Sequence, residues 1–267
     1  MSRADAQWLE AKSAHYSIFY QAGYEQDVAF TRTRLDRAED LMKSKYGVSP
    51  SAYYISFSLH PAPTQTADVN RAQNRCCTRR DAGIQTGTID YLAPSAPAWN
   101  VANLKTSLGL PKDDSFHAKV MMSEYIPIGH YAVQDARTSG GWWYYSAPEW
   151  FVQGLQEYDA IFHTTDTNRE VTAKRLLEWA RNNPTTFACC SPNLAITDVY
   201  NGGATLVAFL AAQFGEDIHA RLLWNPASTF DAALADETKQ YSLPELFDRF
   251  QKWLNATGPG QRNTVVK

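Results

Sequence analysis

The order of the secondary-structure signals along the chain constrains its fold more than any other feature. Three segments, His15–Gln21, Tyr53–Leu59 and Gly83–Leu92, have the β-branched and aromatic content or the alternation of strands. One helix, predicted over Glu25–Lys45 with Gly47 as its stop, falls among them. The later patterns are mostly helical and cover residues 116–126, 148–161, 168–182, 200–214, 216–223 and 243–254. Strands first and helices afterwards predict an α+β fold, with a small N-terminal mixed sheet and a helix, followed by a mainly helical C-terminal half.

The length of the chain, 267 residues, suits one large domain or two closely packed halves. We expect an N-terminal α/β part at 1–115 and a helical part at 116–267, together forming one compact unit. The polar segment Pro61–Arg80 is predicted to be a long loop.

Charge and hydropathy exclude some classes of partner. A net charge of −3 gives no electrostatic reason to expect nucleic acid or an anionic membrane. No apolar run approaches the roughly 18 residues of a membrane span. Arg3, Asp5 and Glu10 interrupt any apolar core of a signal peptide, which slightly favours the cytoplasm and otherwise leaves localisation open.

The four cysteines form two adjacent pairs, Cys76-Cys77 and Cys189-Cys190. Neither pair has the two-residue gap of a zinc knuckle or a redox motif. Two bridges between the pairs would connect the two halves in an oxidising compartment, and four reduced thiols are the alternative. The sequence leaves both open.

Two short segments carry the functional argument. The first reads Met-Ser-Glu-Tyr-Ile-Pro at 122–127, and the second reads Pro-Glu-Trp-Phe-Val-Gln-Gly-Leu-Gln-Glu-Tyr at 148–158. The second segment resembles the third-ligand helix of gluzincin metallopeptidases (the peptidase MA-like group), which reads Pro-x-Trp-x-x-Glu-Gly-x-x-Glu-Tyr. The first falls where that family carries His-Glu-x-x-His. The resemblance covers most of the chain, since 200–215 is similar to a later helix of the same group, and it implies the α+β gluzincin-like fold.

The resemblance also implies that the zinc ligands are lost. Ser123 and Pro127 stand at the two histidine positions, and Gln153 stands at the ligand glutamate position. A zinc peptidase needs two imidazoles one helical turn apart and a carboxylate from a second helix. His117 lies about 10 Å along the helix axis from Glu124, which is too far to share an ion. We therefore expect no metal, no other cofactor and no metallopeptidase activity.

Two acids remain at positions that matter in the family. Glu124 matches the general-base glutamate, and Glu157 matches the acidic residue that orients a ligating histidine. In a cleft without zinc, desolvation and mutual repulsion should raise the pKa of at least one of them. A protonated acid beside an ionised base is what metal-free acid–base catalysis requires. The alternative is that both are hydrogen-bonded to backbone amides, a serine or Gln153 and do no chemistry.

Other polar and aromatic residues complete the predicted site. Tyr200 matches a position at which a donor to a developing oxyanion often faces the cleft in this family, although packing of its ring is the alternative. Residues 140–145 contain four consecutive aromatics behind two glycines. They are predicted to form the rim of an aromatic cleft, or else a half-buried strand. The predicted substrate-binding residues are Ser123, His130, Trp142, Trp143, Tyr145, Trp150 and Gln153.

These features predict a zinc-less, peptidase-like protein that has become a metal-independent acid/base enzyme. Its substrate would be a small apolar or aromatic molecule in the former peptidase cleft, and the reaction an isomerisation, cyclisation, elimination or hydrolysis. The alternative is a pseudopeptidase that binds a peptide or protein in the old groove and catalyses nothing.

Overall fold

The computed structural model describes residues 7–81, 84–100, 104–137, 143–163, 169–189, 195–239 and 241–256, without the side chains of 76–81, 145, 169 and 195. The chain divides into two compact units. The first unit comprises Met1–Ser44 and Val48–Ala132, and the second comprises Lys45–Gly47 and Val133–Lys267. The helix that carries Glu124 therefore belongs to the first unit.

A five-stranded mixed sheet forms the first unit together with one long helix. Its strands are β1 (Trp8–Lys12), β2 (Tyr16–Gln21), β3 (Tyr53–His60), β4 (Gln73–Asp81) and β5 (Ile84–Leu92). The spatial order is β1-β2-β3-β5-β4. The β2–β3 and β3–β5 pairs are parallel, whereas β1–β2 and β4–β5 are antiparallel.

The strand β3 and the helix α1 (Glu25–Tyr46) supply buried side chains to the core of this unit. Every second side chain of β3 is buried, as expected for a strand with one face covered. The hydroxyl of Tyr16 on β2 donates to Asp36 of α1 at 2.6 Å. Gly47 follows the last helical residue with φ +70°, the left-handed conformation that glycine adopts at helix ends.

The prediction that Pro61–Arg80 is a loop is wrong over its second half, where β4 begins at Gln73. This strand lies at the edge of the sheet and pairs with β5, with a shift in register between Arg75 and Arg79. Its sequence is polar because an edge strand needs no continuous apolar face. Partnership with β5, and not a local apolar pattern, makes it a strand.

The helix α2 (Asp114–Tyr125) belongs to the first unit, and α3 (Pro127–Ala136) begins in that unit and ends in the second. The carboxylate of Asp113 caps α2 by accepting from the backbone N–H groups of Ser115 and Phe116. Proline lacks a backbone N–H and tends to end or kink a helix. The helix does end before Pro127, but a second helix starts there, since proline is well tolerated at a first helical position.

The described part of the second unit is mainly helical. It contains α4 (Glu149–Phe162), α5 (Arg169–Asn182), α6 (Asn201–Phe214), α7 (Ile218–Trp224), α8 (Phe230–Glu237) and α9 (Leu243–Ala256), with the short antiparallel pair β6 (Phe187–Ala188) and β7 (Ala195–Ile196). Every residue of α6 from Asn201 to Ala211 is buried, so this helix forms the centre of the unit. The predicted α+β class, with a small mixed sheet and then a helical half, is confirmed.

Two glycines allow α4 and α6 to cross at close range. A Cβ atom on Gly154 would lie 2.3 Å from the backbone carbon of Gly203, and one on Gly203 would lie 2.3 Å from the carbonyl oxygen of Trp150. Any side chain at either position would separate the helices. The glycine of the 148–158 segment thus has a packing role.

No helix among the described residues is both long and apolar enough to cross a membrane. Cys189 is disulfide-bonded. The alternative of four reduced thiols is therefore wrong. The side chains of Cys76, Cys77 and Cys190 lie outside the described part, so the predicted pairing stays a prediction.

Candidate functional site

Helix α2 fixes the two predicted site residues Ser123 and Glu124. Ser123 is buried, and its hydroxyl donates to the carbonyl oxygen of Val120 at 3.0 Å, within the same helix. Glu124 is partly exposed. Its backbone carbonyl accepts a hydrogen bond from the side-chain amide of Asn74 on β4 at 2.8 Å, which attaches the helix to the sheet edge.

A buried tyrosine–histidine pair joins β5 to α2, the helix that carries Glu124. The hydroxyl of Tyr91 on β5 is 2.8 Å from Nδ1 of His117 on α2. Burial lowers the pKa of His117 to about 4, so its imidazole is neutral at pH 7. Burial also raises the pKa of Tyr91, and the negative charge of Glu124 raises it further. The charge of Glu124 thus acts on the hydroxyl of Tyr91, which is itself hydrogen-bonded to a neutral imidazole.

Aromatic rings surround this pair. The ring centroids of Trp99 and His117 are 4.6 Å apart, and that of Phe116 lies 5.5 Å from the imidazole. The indole N–H of Trp99 donates to the carbonyl oxygen of Ala93 at 2.9 Å, which holds the indole in place. Water is therefore kept from the imidazole, and the depressed pKa of His117 follows from this exclusion.

Ser123 and Pro127, which the resemblance matches to the two histidine positions, lie one turn apart. Ile126, between α2 and α3, has helical dihedrals (φ −53°, ψ −36°), so the chain continues helically from one position to the other. The matching of these positions to the family stays a prediction. His130 on α3 is completely buried.

In the second unit, α4 carries the other predicted residues. Gln153 is partly exposed and Glu157 is buried. Trp150 is buried against Phe151 and Phe230, with ring centroids 5.8 and 5.7 Å away. Glu124 and Glu157 belong to different units, and their predicted pairing stays a prediction.

The predicted aromatic rim is only partly described. Trp143 is 1% exposed and lies 5.6 Å from the ring of Phe230, so it packs as a core residue. Trp142 and the side chain of Tyr145 lie outside the described residues. Tyr200, by contrast, is 53% exposed immediately before α6, where its backbone N–H donates to Asp198.

A second polar cluster, which sequence reasoning missed, lies in the second unit. The ammonium of Lys45 is 2.5 Å from the carboxylate of Asp159, 3.1 Å from Nε2 of His163 and 3.4 Å from Nδ1 of His219. The only local signal was the spacing of Asp159 and His163, one turn apart on α4. Lys45 is 114 residues from Asp159 in sequence, so only the fold reveals the cluster.

Within the described ranges, no group of three or more His, Cys, Asp or Glu side chains is arranged to hold a metal ion. No protein-family model matches the sequence, and no curated protein matches it significantly. The functional argument therefore depends on the residues themselves.

Proposed function

We propose that this chain is a zinc-less, peptidase-like protein that acts as a metal-independent acid/base enzyme on a small apolar or aromatic molecule. Glu124 is the proposed proton acceptor. The observation that carries this proposal is a partly exposed carboxylate whose charge acts on the buried hydroxyl of Tyr91, the hydrogen-bond partner of His117. A carboxylate that reaches solvent can meet a substrate, whereas Tyr91 and His117 are buried.

The chemistry follows from the protonation states. In the proposed role the carboxylate of Glu124 accepts the proton. Tyr91 remains protonated because burial and the charge of Glu124 raise the pKa of its hydroxyl. His117 remains neutral because burial lowers its pKa to about 4. A carboxylate in this role can take a proton from carbon or oxygen and return it. Isomerisation, cyclisation, elimination and hydrolysis all require such a transfer.

Deuterium exchange tests this function before the natural substrate is known. Aryl ketones, aryl esters and unsaturated aromatic acids are incubated with the protein in D₂O, and incorporation of deuterium or hydrolysis is followed by NMR. Glu124→Gln, which keeps the shape of the side chain, is expected to lower the rate by about 100-fold or more, the usual contribution of a general base.

Asp114→Asn is the matched control, because Asp114 is an exposed acid in the first turn of the same helix. It is expected to keep the wild-type rate. Unchanged turnover in Glu124→Gln would exclude the proposed role of Glu124. A wild-type protein that binds these compounds or a peptide without any reaction would favour the non-catalytic pseudopeptidase instead.

A further inference from the structure

The Lys45 cluster of the second unit takes no part in the proposed function. Lys45 is near the C-terminal end of α1, but its contacts lie in the second unit, and its side chain is only 9% exposed. Three acceptors face the ammonium: one oxygen of Asp159, Nε2 of His163 and Nδ1 of His219. An ammonium has three N–H donors, so this cage matches its hydrogen-bonding capacity.

Hydrogen bonds fix the protonation of both imidazoles. Nε2 of His219 is 3.0 Å from the carbonyl oxygen of Val207 on α6. A carbonyl oxygen only accepts, so Nε2 carries the proton and the lone pair of Nδ1 faces Lys45. Nε2 of His163 likewise accepts from Lys45, which places its proton on Nδ1. Burial and the charge of Lys45 lower the pKa of His219, in agreement with a neutral ring.

A second hydrogen bond holds the carboxylate of Asp159 at the oxygen that does not face Lys45. Asp159 is fully buried, and its second oxygen accepts from the hydroxyl of Tyr46 at 2.5 Å. The ring of Tyr158 lies 5.0 Å from the ammonium, and its hydroxyl donates to Glu216 at 2.9 Å. One buried carboxylate and two neutral imidazoles thus converge on one positive charge.

We infer that this cage is a cation site with the ligand set of a borderline transition metal, and that the chain's own ammonium occupies it. One carboxylate and two imidazoles are donors that Zn²⁺ and Co²⁺ accept. The acceptors lie 2.5–3.4 Å from the nitrogen, whereas metal bonds to such donors are about 2.0–2.2 Å long. The spacing therefore fits the ammonium, and binding of an ion would require the acceptors to move inward once the ammonium is removed.

The role of Lys45 is then to exclude metal from the second unit and to neutralise Asp159 without one. An unpaired buried carboxylate is strongly destabilising. The internal lysine makes the stability of this unit independent of metal supply. This inference does not depend on the proposed catalytic role of Glu124.

Cobalt binding to Lys45→Ala tests the inference, with Co²⁺ as the probe because its visible absorption reports coordination. The variant is expected to bind about one Co²⁺ per chain and to gain several degrees in melting temperature, since a ligand that binds only the folded state stabilises it. Wild type and Lys174→Ala, which removes an exposed lysine, are expected to show neither effect. Adding His163→Ala to the Lys45→Ala variant is expected to abolish binding. A folded Lys45→Ala protein without a Co²⁺ spectrum would overturn the inference.

Lys45→Ala is expected to be destabilised, because it leaves the buried carboxylate of Asp159 without its cation. If the variant does not fold even with Co²⁺, a measurement on the wild-type protein tests whether the three acceptors form the cage. Long-range ¹⁵N NMR of the histidine rings distinguishes the two tautomers and the charged form. We expect His163 protonated only on Nδ1 and His219 only on Nε2 at pH 7. A charged ring or the opposite tautomer at either position would remove the three-acceptor cage, and with it the inference.

Discussion

The hydroxyl of Tyr91 and Nδ1 of His117 lie 2.8 Å apart, and neither side chain is more than 3% exposed. This hydrogen bond joins β5 to α2, the helix that carries Glu124. It also places a titratable imidazole where its charged form is poorly solvated. The pair therefore contributes to the stability of the first unit and makes that stability depend on pH.

Acidification should weaken the protein through His117. Its pKa is about 4 in the folded state, against 6.5 for an ordinary histidine. Between these values the unfolded chain binds more protons, so the free energy of unfolding falls as pH decreases through this window, by about 3 kcal/mol in all. His117→Gln should make the fall between pH 7 and pH 5 smaller by about 2 kcal/mol. Urea unfolding at pH 7 and pH 5, monitored by tryptophan fluorescence, measures this difference in the free energy of unfolding.

His60→Gln is the control for loss of a histidine. His60 is partly exposed and is hydrogen-bonded to Asp90 at 2.8 Å. Because His60 lies outside the Tyr91–His117 pair, this variant reports the effect of losing an unrelated histidine. An equal change in both variants would show that His117 is not the group responsible.

Gly154→Ala should destabilise the second unit. The added methyl group would lie 2.3 Å from the backbone of Gly203, so α4 and α6 must move apart, at an expected cost of about 1–3 kcal/mol. Gly129→Ala in the first unit is a matched comparison, because the atoms nearest its methyl group would belong to the side chain of Met42, with Cγ at 2.5 Å, and not to a backbone. Thermal unfolding should show the larger loss for Gly154→Ala. A larger loss for Gly129→Ala would contradict this account.

The redox state of Cys189 is directly measurable. Alkylation of the denatured protein without reductant should leave this cysteine unlabelled, and treatment with a thiol should make it reactive, because it is disulfide-bonded. Peptide mapping by mass spectrometry identifies its partner. Linkage to Cys76 or Cys77 would agree with the predicted bridges between the pairs. Linkage to Cys190 would contradict them, and labelling before reduction would contradict the disulfide itself.

Sequence patterns predicted the elements that are determined by residues close to one another along the chain. The helix predicted over Glu25–Lys45 is α1, Glu25–Tyr46, because its apolar spacing and the glycine that follows act locally. The alternation in Tyr53–Leu59 likewise located β3, Tyr53–His60. The Glu124 segment could be singled out only by its resemblance to a family motif, and its catalytic role stays a prediction.

What the sequence by itself determined is the α+β order of elements, because strand and helix periodicities are local properties of the chain. The tertiary structure alone decided that the polar segment from Gln73 is a strand, that Trp143 is core, and that Tyr91 meets His117. It also assembled the cage around Lys45. These features depend on pairing and burial between residues that are distant in sequence. Such contacts leave no periodic pattern, since the free energy of each depends on a partner that only the folded chain provides.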